Sequence, residues 1–300
     1  MILHKLGSFM HNSQLGPDPG SRLLCSHLLT CDQPVPDGSH FSDATFERFC
    51  QRVQDRNDAL ILRDVTPLLV PSAENLALHG LNERGCLAES LESVWDSSWP
   101  LTDECPQPDY SVGFSRGAFT AEQLEKLRPY IGDCSPGLQS HFMANYRIFF
   151  LFLACEVRCG NTGLLPAERQ NAHCMTLAVR GVVGLFRLVG REQELHRRIV
   201  AFSITHNNRF VTLHGYYAEI DGEETKFYQH TIREFVFTND DEKWTAYRFT
   251  RNIYLEWMPQ HFRNLCSAID LLPIESVSSK SSQGDLSDPV SSAAYPVTGE

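Results

Sequence analysis

Long hydrophobic runs are missing from this chain: the longest, Ile148 to Cys155, covers eight residues. A membrane-spanning helix needs roughly 20, so no membrane partner is expected. The opening stretch, MILHKLGSFMHNSQ, is too interrupted by polar residues for the apolar core of a signal peptide. Basic charge is scarce as well, with 26 Lys and Arg against 37 Asp and Glu and a formal net charge of −11. Attraction to phosphates needs clustered cations, so any nucleic-acid role must rest on a local basic patch. None of the ten cysteines forms a C-x-x-C pair. Cys50, Cys155, Cys174 and Cys266 lie in apolar segments, where a free thiol behaves as a small hydrophobe. An intracellular protein, cytoplasmic or nuclear, with reduced thiols is expected. Signatures such as G-x-S-x-G, the Walker loop, G-x-G-x-x-G and H-E-x-x-H are absent, which removes the commonest hydrolase, nucleotide and zinc-protease motifs.

What is present is an ordinary globular composition, 42% hydrophobic and 21% charged, able to bury a core. Residues 1–41 are rich in Gly, Pro, Ser and His without a sustained period and are expected to form a flexible N-terminal segment. Residues 274–300 are Ser-rich with few large apolar side chains, a composition expected to be disordered. Between them, residues 42–273 show no linker and read as one domain.

Within that domain, ATFERFCQRVQDRND spaces Phe46, Phe49, Cys50 and Val53 as one helix face. ALILRDVTPLLV and PSAENLALHG read as two short helical pieces, and GCLAESLESVWDSSW as a helix with Leu87, Leu91, Val94 and Trp95 in a stripe. PQPDYSVGF switches to period two. TAEQLEKLRPYI carries Thr120 as N-cap and Gln123 three residues on, the capping-box spacing. A helix starts near Pro166, a hairpin turns at Asn207 and Asn208, TKFYQHTIREFVF supplies another strand, and a final helix from about Lys243 to Leu272 breaks at Pro259. The order predicts an α/β (α+β) domain with a central mixed β-sheet flanked by helices.

The candidate chemistry sits at one strand end. FLFLACEVRCG is apolar until Glu156, and successive strand residues alternate faces, so Glu156 and Arg158 share one face. Asp109 stands at the start of the period-two strand. If the two strands are neighbours, Asp109 and Glu156 meet at the sheet rim. Paired carboxylates with a backbone carbonyl and waters make the oxygen site that Mg²⁺ prefers. A metal there polarises a phosphoryl oxygen and activates water, with Arg158 placed where negative charge grows. The plainer readings stay open: Asp109 as turn chemistry after Pro108, Glu156 and Arg158 as a surface ion pair, and Glu89 as part of a solvated helix face.

Pro108-Asp109 followed by Glu156-Val157-Arg158 resembles the PD-(D/E)XK nuclease superfamily. In that fold a helix precedes a strand carrying the Asp, the next strand carries Glu-x-Lys, and a helix follows, often with a Gln near its start. The resemblance implies a restriction-endonuclease-like core with Asp109 and Glu156 as Mg²⁺ or Mn²⁺ ligands. It further implies Arg158 as phosphate stabiliser, Gln170 as the helix Gln, and Glu89 as a further acidic ligand. The blocks LLVPSAENLALHG, PQPDYSVGF, CEVRCG, RQNAHCMTLAVRGVVGLFRLV and WMPQHFRNLCSAID resemble a family of uncharacterised fungal proteins over about 44–273. Two departures stand out. Arg158 replaces the usual Lys, keeping the charge but unable to give up its proton, and the long spacing from Asp109 to Glu156 requires the helix at 120–131 to be an insertion. The expected function is metal-dependent cleavage of nucleic acid; the alternative is a non-catalytic binding or regulatory module that kept the fold.

Overall fold

The computed structural model describes residues 2–79, 85–132, 139–159 and 163–274. The expected disordered tail, from 275 onward, lies outside them. At the centre is an eight-stranded mixed sheet flanked by helices. Its strands are β1 (Ser8–Phe9), β2 (Leu87–Leu91), β3 (Tyr110–Phe114), β4 (Met143–Asn145), β5 (Ile148–Val157), β6 (Ile199–His206), β7 (Phe210–Asp221) and β8 (Glu224–Val236). The spatial order is β1-β8-β7-β6-β5-β3-β2, with β4 paired to β5. Parallel pairing occurs at β5–β6 and β1–β8, antiparallel pairing elsewhere.

The helices are α1 (Ile2–Lys5), α2 (Pro19–Thr30), α3 (Phe46–Val53), α4 (Asp58–Asp64), α5 (Thr66–Leu69), α6 (Ala73–Leu78), α7 (Ala121–Ile131), α8 (Leu165–Leu188), α9 (Thr245–Asn252) and α10 (Met258–Ile269). None is long and apolar enough to cross a membrane among the described residues. Helix α8 is the crossover that parallel β5 and β6 require, and it lies on one face of the sheet. Trp257, between α9 and α10, packs on the other face against Phe202 at 5.0 Å. Covered on both sides, β5 and β6 are buried from end to end, which is why IFFLFLAC is a continuous apolar run rather than an alternation. The capping box at Thr120 and Gln123 forms as the spacing predicts.

Three expectations are corrected. Residues 85–99 are not a helix: Leu87–Leu91 is strand β2, in register with β3 from Leu87↔Phe114 to Leu91↔Tyr110. Gly85 (φ 53°) and Glu92 (φ 44°) bracket it in the left-handed region, which no α-helix continues through. Residues 2–41 are packed rather than flexible. Leu28 and Phe41 are fully buried, Ser21 Oγ receives the N–H of Ile199 at 2.9 Å, and Asn252 Nδ2 donates to Leu28 O at 2.9 Å. The final helix breaks one turn before Pro259, in a π-helical turn at Ile253–Trp257. Proline offers no N–H and its ring excludes the carbonyl four residues back, so the turn upstream widens.

Candidate functional site

The register Tyr110↔Cys155 between antiparallel β3 and β5 puts Asp109 opposite Glu156. Directly opposed residues share a face, so both acids turn to the α8 side at the end of the sheet. Asp109 is held from two directions: its Oδ2 accepts the N–H of Val157 at 2.7 Å and its carbonyl accepts that of Glu92 at 3.0 Å. The two carboxyl groups are near enough for the charge of Asp109 to act on Glu156. Glu156 is 3% exposed. Burial pushes its pKa up to about 9, with the Asp109 charge adding to the rise. Asp109 is raised too, first by burial, while the Val157 N–H works the other way and Glu92 and Asp58 add repulsion. The pair therefore shares a proton when nothing else positive is near. Glu156 Oε1 has no hydrogen-bond partner.

Beside Glu156, on parallel β6, stands Thr205. From α8, Asn171 reaches the same place, donating to Thr205 Oγ1 at 2.8 Å and Ile204 O at 3.1 Å. Cys174, one turn further along α8, is fully buried, and the Glu156 charge adds to the burial that raises its thiol pKa. Helix α8 thus presents its 171/174 face to the acid pair.

The sequence between residues 45 and 269 matches one family, described as a domain of unknown function. The chain belongs to DUF7924. The DUF7924 match runs from the residue before α3 to the last residue of α10, so it contains the acid pair while β1 and α2 lie outside it. No curated protein matches the chain.

Within the DUF7924 region the other candidate residues divide. Arg158 lies just past the end of β5, about half exposed, with Nη1 3.9 Å from Asp58 Oδ2. Asp58 also accepts the N–H of Cys159 at 2.6 Å. Gln170 is exposed on α8, and its neighbour Asn171 is the one turned to the sheet. Glu89 is on β2 rather than a helix, and its partner Val112 alternates away from Asp109. On that opposite face it accepts hydrogen bonds from Ser72 Oγ at 2.7 Å, Tyr110 Oη at 2.7 Å and Glu74 N at 3.3 Å. It does not join the acid pair.

Among the described residues no group of three or more His, Cys, Asp or Glu side chains is arranged to hold a metal ion. A cation here would rest on the two carboxylates, and the unpartnered Oε1 of Glu156 fits that use because it faces no donor. Sequence reasoning missed Asp58, Asn171 and Thr205 as neighbours of the pair. Their approach depends on how α4, α8 and β6 pack, and only the Asn in the first turns of α8 left a signal.

Proposed function

We propose that Asp109 and Glu156 hold a divalent cation, Mg²⁺ or Mn²⁺, and that the chain uses it to hydrolyse phosphodiester bonds of nucleic acid. The observation that carries this reading is the pairing of a buried carboxyl group, Glu156, with a half-buried one, Asp109, on opposed positions at one end of the sheet. Two acids so placed need compensating positive charge, and oxygen donors of this kind suit a hard divalent ion. Bound there, the ion would polarise a phosphoryl oxygen and lower the pKa of a water. The chain's own residues do the rest. The Val157 N–H fixes the Asp109 carboxylate. Arg158, held to Asp58 only at 3.9 Å, is free to turn its guanidinium to a phosphate, which it can grip with two N–H groups. Further support is the order of elements: helix α6, then β2, β3 with Asp109 just before it, α7, β4, β5 with Glu156 near its end and Arg158 just past it, α8, and β6. That order parallels the PD-(D/E)XK arrangement. Helix α7 stands between β3 and β5, where this reading needs an insertion.

The second reading, a binding or regulatory module without catalysis, is favoured by Arg158 standing in the lysine position with Asp58 as partner. Purified protein incubated with single- and double-stranded DNA and RNA, with Mg²⁺ or Mn²⁺ and then EDTA, decides between them. Cleavage that EDTA stops and that Asp109→Asn plus Glu156→Gln abolishes supports the enzyme. Binding without cleavage supports the module, and cleavage that survives the double substitution removes the site.

A further inference from the structure

Two oxygen atoms between the acid pair and α8 are left unsatisfied. Glu156 Oε1 and Asn171 Oδ1 are each buried without a hydrogen-bond partner, and the Asn171 residue is 0% exposed. Both residues border Thr205. Thr205 is the strand partner of Glu156, a spacing of about 4.8 Å, and the Asn171 amide is anchored on Thr205 Oγ1 at 2.8 Å. Cys174, three residues on and so on the same helix face, stands close enough to Glu156 to sense its charge.

The orientation of the amide is settled by its partners. Nδ2 donates to the carbonyl of Ile204, and a carbonyl can only accept, so exchanging nitrogen and oxygen would set two acceptors together. With both amide protons spent on β6, Oδ1 is left over. With Glu156 ionised, its Oε1 and Asn171 Oδ1 both accept and neither satisfies the other. Buried acceptors left unmatched are costly. One hard cation meets both at once.

We propose that Asn171 Oδ1 is the third protein oxygen of the divalent-cation site, beside Asp109 and Glu156; this rests on the cation reading of that pair. Two charged oxygens and a neutral amide oxygen suit Mg²⁺ or Mn²⁺ over a thiophilic metal. Three protein oxygens leave the remaining positions of an octahedral ion to other oxygen ligands. It also explains why α8 places Asn171, not Gln170, against the sheet.

The test is Mn²⁺ binding by the full-length chain, read from the loss of the free-ion electron paramagnetic resonance signal. Each variant's unfolding is recorded without metal. Asn171→Ala is expected to weaken Mn²⁺ binding by about tenfold or more. Asn171→Asp, which keeps an oxygen in place and adds charge, is expected to tighten it. If Asn171→Ala binds as the wild type does while Glu156→Gln does not, Asn171 holds only a water; the proposal falls and the cation reading stands. If the wild type binds no Mn²⁺, both fall. Should Asn171→Ala fail to fold, Asn171→Asp decides: tighter binding upholds the third ligand, unchanged or weaker binding overturns it.

Discussion

His206 shows what a single buried side chain can determine. It is 0% exposed, and its Nδ1 lies 3.0 Å from the carbonyl of Asn207 while Nε2 lies 2.9 Å from Thr66 Oγ1. A carbonyl cannot donate, so Nδ1 carries the proton and Nε2 accepts from the hydroxyl. Burial lowers the pKa from 6.5 to about 4. His214 and His261 are likewise buried and lowered to about 3. A depressed folded-state pKa gives stability that is present above the unfolded value and lost as pH falls toward the folded one. Between pH 6.5 and about 4, each such histidine lowers stability by about 1.4 kcal/mol per pH unit. Urea unfolding at pH 7, 6 and 5 should show this acid lability. His206→Gln should make the slope shallower by one histidine's share, and an unchanged slope would mean that His206 does not titrate on unfolding. The acid pair follows opposite logic: burial raises Asp109 and Glu156, which favours a shared proton or a cation between them.

At the scale of elements, the interface between α8 and the segment before β4 turns on Gly181. A Cβ added there would stand 2.3 Å from the carbonyl oxygen of His141, closer than any side chain tolerates. Helix propensity by itself favours Ala over Gly by about 1 kcal/mol. Crowding backbone against backbone reverses that, so Gly181→Ala should destabilise the protein by about 1–3 kcal/mol in equilibrium denaturation. Stabilisation would show that α8 has room to move away. Elements written strongly in the sequence were legible: the capped α7, the long α8 behind Pro166, and the hairpin of β6 and β7. Strand β2 was not. Leu87, Glu89 and Leu91 alternate, yet Leu87, Leu91, Val94 and Trp95 also space as a helix. The edge of β3 decides between the two by offering backbone partners.

For the whole molecule, residues 2–41 are part of the packed structure. β1 adds to the sheet beside β8, Leu28 and Phe41 enter the core, and Arg197 Nε donates to Gly16 O. Deleting residues 2–41 should abolish cooperative unfolding or yield an aggregating chain, checked by circular dichroism melting and size-exclusion chromatography. A truncated chain that melts like the full one would show that the DUF7924 region is sufficient. This segment was misread because its Gly, Pro and Ser content drew attention away from a local signal, Asp18 as N-cap before Pro19 at the start of the twelve-residue α2.

The sequence by itself determined a mixed α/β domain and the two acids most worth following, because strand alternation and the long apolar β5 are local patterns that reach directly into three dimensions. Whether Asp109 and Glu156 meet, that Glu89 faces away from them, and that Asn171 rather than Gln170 turns inward were decided only by tertiary structure. Register between strands, and the face a helix turns to a sheet, depend on partners far away in the chain.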